Sequence, residues 1–137
     1  MEKSIIEKRV DYISKRLEKL KDSLDKYESE EDEDYKYIIL KAIERECEEI
    51  IESGTKINKM ILEDNDIIPE NYRDGFISLG EIKLLDTKTA ERLANTVGFR
   101  NRLAHEYMEL NTEIKSAKNI LKLYPKYLTK VLDFLHQ

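Results

Sequence analysis

Tryptophan is absent from this 137-residue chain, and it has one cysteine, two prolines and four glycines. The single cysteine, Cys47, allows neither an internal disulfide nor a multi-cysteine zinc site. It falls on the apolar row of a predicted helix and reads as a small buried hydrophobe rather than a reactive thiol. With 39% charged residues and many Lys, Glu, Leu and Ile, the composition is that of a soluble helical protein, and strands are not expected. No apolar run approaches the roughly 18 residues that a membrane span needs, and Met1-Glu2-Lys3-Ser4-Ile5-Ile6-Glu7 lacks the apolar core of a signal peptide. The expected place is the cytoplasm, away from membranes. Also missing are a Gly-rich phosphate loop, a His-Glu-x-x-His pair and any metal-ligand constellation, so neither a metal nor a cofactor is implied.

Positive charge is scarce as well. The net charge of −5 looks wrong for a protein that touches nucleic acid, since phosphates attract Lys and Arg. The excess acid is concentrated, because Glu28, Glu30, Glu31, Asp32, Glu33 and Asp34 stand within one short segment, and without them the rest of the chain is at +1. Between Lys88 and His105 the cations Lys88, Arg92, Arg100 and Arg102 face Glu91 alone. A substrate meets the local field, not the sum.

The length fits one domain, 1–137, built on one core. Ile6, Val10, Ile13, Leu17, Leu20, Leu24 and Tyr27 recur at steps of three and four and predict a helix from about Ser4 to Tyr27. The acids from Glu28 to Asp34 predict a solvated connector. A second helix is expected from about Tyr35 to Leu62 on the row Leu40, Ile43, Cys47, Ile50, Gly54, Ile57 and Ile61. Gly54 marks either a close helix contact or a weak point. Pro69 breaks the pattern. Asn71, with Asp74 three residues on, can cap a short helix carrying Phe76, Leu79 and Leu84. Asp86 or Thr87 starts the next helix, whose row Ala90, Leu93, Val97 and Ala104 also includes position 100, where an arginine replaces the expected apolar residue. A last helix from about Glu113 to Leu135 contains Pro125, which predicts a kink. The fold class is all-α: an up-and-down four-helix bundle with one additional short helix.

Chemistry centres on Phe99-Arg100-Asn101-Arg102-Leu103-Ala104-His105-Glu106-Tyr107. Arg100 and His105 stand in an Arg-x4-His spacing, and Tyr107 follows in a His-x-Tyr. An imidazole with an unperturbed pKa near 6.5 can transfer protons at neutral pH. A guanidinium can hold a phosphate and stabilise the pentacoordinate transition state. RNA supplies its own nucleophile, the 2′-hydroxyl. The spacing alone also fits a bland reading, with His105 favoured by the helix dipole and Arg100 in an ordinary ion pair. Tyr107 can equally pack its ring at the core edge. Arg102 faces elsewhere on the helix, as a phosphate track or a solvated side chain, while Asn101 can orient the loop or the substrate. His136, beside the C-terminus, is expected to be solvated.

The order of parts then carries a resemblance. An amphipathic first helix, a second helix, a link with Pro69 and Tyr72 leading to Phe76 and Leu79, and a third helix closing on Arg100-Asn101-Arg102-Leu103-Ala104-His105-Glu106-Tyr107 together resemble the HEPN superfamily. Within it the chain is similar to the HepT toxins of toxin–antitoxin pairs. The resemblance covers nearly the whole chain and implies a metal-independent ribonuclease toxin of a type VII-like system that acts on RNA and spares DNA. It also implies a homodimer that brings the Arg-x4-His pairs of both subunits into one cleft. By the same resemblance Arg100 and His105 are the catalytic pair, with Asn101 and Arg102 beside the substrate. Tyr107 becomes the residue that an MNT-type nucleotidyltransferase antitoxin adenylylates. The acidic connector is not part of that pattern. The alternative is a catalytically silent HEPN dimer that serves as a scaffold for the nucleotidyltransferase.

Overall fold

Apolar residues at steps of three and four give five helices: α1 (Lys3–Ser29), α2 (Glu33–Asp64), α3 (Tyr72–Glu81), α4 (Thr87–His105) and α5 (Leu110–Leu135). They are seen in a computed structural model that describes residues 2–105 and 109–137, the side chains of Ala104 and His105 lying outside that description. Among the described residues there is no strand. The architecture is the expected one, four long helices and a short one, α3, between the second and the third of them.

α1 buries Ile6, Val10, Ile13, Leu17, Leu20 and Leu24, the row that its periodicity marks. α2 packs against all four other helices. Its buried set is accordingly wider than one stripe and adds Ile51, Leu62 and the polar Ser53, Thr55 and Asn58. Cys47 lies fully inside, where burial and the nearby carboxylates, Glu113 first, push its thiol far up and leave it inert.

The expected solvated connector from Glu28 to Asp34 is shorter than the charge pattern suggests, because only Glu30 to Asp32 separate α1 from α2. The acids are used where helices want them. Asp32 caps α2, its carboxylate accepting from Asp34 N at 2.9 Å and Tyr35 N at 3.2 Å. Glu33 and Asp34 then occupy the first turn, where the helix dipole favours negative charge. Glu28 stays helical at the end of α1 and pairs with Lys118 of α5.

The cap expected at Asn71 is present: its side chain accepts from Asp74 N at 2.8 Å and starts α3. Asp86 likewise accepts from Thr89 N at 3.1 Å ahead of α4. α5 begins three residues before the expected Glu113 and continues through Pro125 to Leu135. Pro125 is exposed, so its ring faces away from the core.

Gly54 proves to be a close contact. A Cβ there would stand 3.3 Å from the Tyr124 ring and 3.4 Å from Phe76. Phe76, Tyr124 and Tyr127 meet edge to face around it, with centroids 5.6 to 6.4 Å apart. The two tyrosine hydroxyls are paired. Thr96 Oγ1 donates to the Leu93 carbonyl at 2.6 Å, so the Tyr124 hydroxyl donates to Thr96 across 2.8 Å. Tyr127 donates to Asn58 Oδ1 at 2.6 Å and lies 3.0 Å from the Gly54 carbonyl. This cluster ties α2, α3, α4 and α5 together.

Candidate active site

α3 and α4 run antiparallel in close contact, and their register brings the start of α3 beside the end of α4. At one end Gly80 lets the backbones approach, since a Cβ there would fall 2.9 Å from Ala90 Cβ. Midway, Arg73 Nη1 donates to Asn95 Oδ1 at 2.9 Å. At the far end the Arg100 guanidinium lies over the Tyr72 ring, 6.0 Å from its centroid. That is a contact at the outer limit of cation–π attraction.

Arg100 is half-buried, on the row that Ala90, Leu93 and Val97 keep inside. Among the described residues no carboxylate lies within ion-pair distance of it. The bland expectation for Arg100 was an ordinary ion pair. Among the described residues its guanidinium has the Tyr72 ring beside it and no carboxylate partner. The neighbours fit the same pattern. Phe99 is buried and Leu103 half-buried, so they anchor the last turns of α4, while Asn101 and Arg102 between them are exposed. Arg102 folds back along α4, its Nη1 3.6 Å from where a Cβ on Gly98 would stand. Arg73 adds a further cation on this edge, contributed by a helix that the motif does not include.

His105 is the last residue of α4, but its side chain lies outside the described residues, as does Tyr107 altogether. The structure thus places the arginine, Asn101 and Arg102 of the expected site, together with the helix end that carries the histidine. His136 is exposed at the end of α5, as expected of a solvated tail. Among the described residues no three His, Cys, Asp or Glu side chains come together as a metal site, and no helix is long and apolar enough to cross a membrane.

Tyr72 also forms a wall of a cavity of about 300 Å³ between α2 and the start of α3, with Asn58 and Gly75 on its lining. Neither residue stands out in the sequence. A single polar position on a helix that is buried on several sides, and a glycine inside a short helix, are visible only as mild departures from their rows.

Against known proteins, the model of the family described as ribonuclease HepT-like matches residues 13–126. The chain is 29% identical to a tRNA nuclease HepT of Aphanizomenon flos-aquae, in an alignment covering 98% of this chain and 92% of that protein. It is 33% identical over 72 residues to an mRNA nuclease HepT of Shewanella oneidensis, covering 53% of this chain and 52% of that one. Among solved structures, the tri-AMPylated HEPN toxin of Shewanella oneidensis in complex with MNT antitoxin superimposes with a TM-score of 0.72. That likeness has 19% identity over 96% of this chain and 94% of the other, so it speaks for a common fold.

Proposed function

The chain belongs to the HepT-like ribonuclease family, and on that premise we propose that Arg100 and His105 are the pair with which it cuts RNA. The observation that carries this is the state of Arg100: half-buried, laid on Tyr72, and unpaired by any described carboxylate. A guanidinium held this way is preorganised for a phosphate. His105 takes the proton of the 2′-hydroxyl as that oxygen attacks the adjacent phosphorus. Arg100 stabilises the charge on the pentacoordinate phosphorane, and the 5′-oxygen leaves with a proton returned by an imidazolium. The products are a 2′,3′-cyclic phosphate and a 5′-hydroxyl, and no step calls for a metal. DNA, lacking the nucleophile, is spared. Asn101 and Arg102, both exposed beside the motif, bind the neighbouring backbone.

The active form is a two-fold dimer with both Arg100 and His105 pairs in one cleft. Two copies double a local positive field that one subunit supplies sparsely. The protein is the toxin of a cytoplasmic toxin–antitoxin pair, and an MNT-type nucleotidyltransferase silences it by adding adenylate to Tyr107, in keeping with the tri-AMPylated state of the Shewanella oneidensis toxin. The added phosphate brings negative charge to the Arg100 fork and the nucleotide fills substrate space. Expression without the antitoxin tests the assignment. Wild type should stop growth and degrade RNA, and Arg100→Lys should not, since lysine keeps the charge and loses the fork. RNA left intact by the wild-type protein would instead indicate a scaffold without turnover.

A further inference from the structure

Asn58 is 1% exposed, and the two ends of its amide have opposite fates. Oδ1 lies 2.6 Å from the Tyr127 hydroxyl, which is 3.0 Å from the Gly54 carbonyl as well. Nδ2 is buried and has no hydrogen-bond partner among the described residues. An unpaired buried donor is a standing penalty that an acceptor brought by a ligand would relieve. What faces Nδ2 is Gly75, where a Cβ would lie 3.8 Å from Nδ2 and 3.6 Å from Asn58 Cβ. Both residues line the cavity behind Tyr72. With no side chain at Gly75, the Asn58 amide is a polar group on this wall of the cavity.

We propose that this cavity is a nucleobase subsite of the ribonuclease: it takes the base of a nucleotide next to the phosphate held by Arg100, and Asn58 Nδ2 donates to an acceptor on that base's edge. The inference rests on Arg100 as the phosphate-binding residue. Tyr72 links the two places, because one side chain both lines the cavity and carries the Arg100 guanidinium. A phosphate on Arg100 thus leaves the attached nucleotide beside the cavity mouth. The walls suit a flat, uncharged group, with the Tyr72 ring and Pro69 as apolar surface. The lining charges select against a phosphate, since Glu63 and Glu70 outnumber Lys59. The uncharged end of a nucleotide enters and its charged end stays outside. Unpaired single-stranded RNA offers base edges and faces for this kind of recognition.

The test uses Gly75→Ala. The new methyl meets Asn58 at ordinary contact distances, so no neighbour has to move, and alanine is the better helix former. Its melting temperature should equal or exceed that of wild type. Wild type and variant are titrated by fluorescence anisotropy with labelled 2′-O-methyl oligonucleotides, which cannot be cut because the nucleophile is blocked. One strand per base is used, together with an abasic strand of equal length. Wild type should bind its preferred base about tenfold more tightly than the abasic strand, the scale of one base–aromatic contact. Gly75→Ala should erase that margin. Arg100→Ala should weaken every strand, the abasic one included. A wild type that binds the abasic strand as well as the others, or a margin that survives in Gly75→Ala, overturns the subsite whatever the cleavage assay shows. If Gly75→Ala keeps the margin and loses the nucleotidyltransferase instead, the cavity is a protein-docking surface and the proposal fails. Unchanged affinities in Arg100→Ala would count against the phosphate-binding role while leaving the base margin to be read on its own.

Discussion

The two sides of Asn58 are built on different terms. Toward Tyr127 the interior is closed: three aromatic rings pack around Gly54, and the hydroxyls of Tyr124, Tyr127 and Thr96 are all paired. Toward Gly75 the surface is left open, with an amide nitrogen that has no partner among the described residues, a cavity, an exposed Tyr72 ring and an arginine without a described carboxylate partner. Both sides use polar groups and rings, so composition does not separate them. What separates them is whether each donor has been given its acceptor. Groups matched within the chain stabilise the fold, and groups left unmatched at its edge are free for a ligand.

The contrast breaks most sharply at its functional end. Arg100→Ala should lower RNA cleavage about 100-fold or more, the scale of losing one preorganised charge-stabilising donor, with little change in melting temperature. On the closed side the sign reverses. Tyr127→Phe leaves the buried Asn58 Oδ1 without its donor and should cost about 1–3 kcal/mol of stability, measured by urea denaturation. Tyr72→Ala should change stability by less than about 0.5 kcal/mol, as an exposed ring, while weakening RNA binding. Gly80→Ala sharpens the point that not every glycine leaves room. Its methyl would stand 2.9 Å from Ala90 Cβ, so the α3–α4 contact must open, at about 1–3 kcal/mol.

A smaller effect concerns the first turn of α5. Glu113 is 5% exposed. Burial first, then a hydrogen bond with Glu44 and repulsion from it, against the opposing pull of Lys41, push its carboxyl from 4.5 up to about 8. The folded state binds this proton more tightly than the unfolded chain does. Its contribution to stability is therefore complete below about pH 4 and lost as pH rises through about 8. Glu113→Gln keeps a neutral side chain at every pH. The melting temperature of the variant should exceed that of wild type by about 2–5 °C at pH 8, and the gap should close by pH 4. An equal gap at both pH values would show that packing, not the proton, is responsible.

Much of this was legible from residue spacing. The rows of α1 and α2, the Asn71 cap and the start of α4 follow from periodicity and capping chemistry, and the family follows from the order of parts that ends at Tyr107. Arg100 is an odd residue on an apolar row, and in the structure it is half-buried beside a ring from another helix. The acidic run predicts a longer solvated connector than is found, because Asp32 caps α2 and Glu33 and Asp34 fill its first turn. The early start of α5 escaped for a related reason, because Asn111 and Thr112 carry no apolar signal although they are helical. Asn58 and Gly75 could not be found in this way. Their significance lies in a donor left over once Tyr127, 69 residues away, has taken the other end of the amide.

The central claim is that Arg100 and His105 cut RNA without a metal, and it is tested most directly by incubating purified wild type and His105→Ala with a tRNA pool in EDTA and analysing the new ends. The account predicts that wild type cuts and leaves 2′,3′-cyclic phosphates or their hydrolysis products, while His105→Ala leaves the pool intact. Cleavage abolished by chelation, or His105→Ala cutting as fast as wild type, would contradict it.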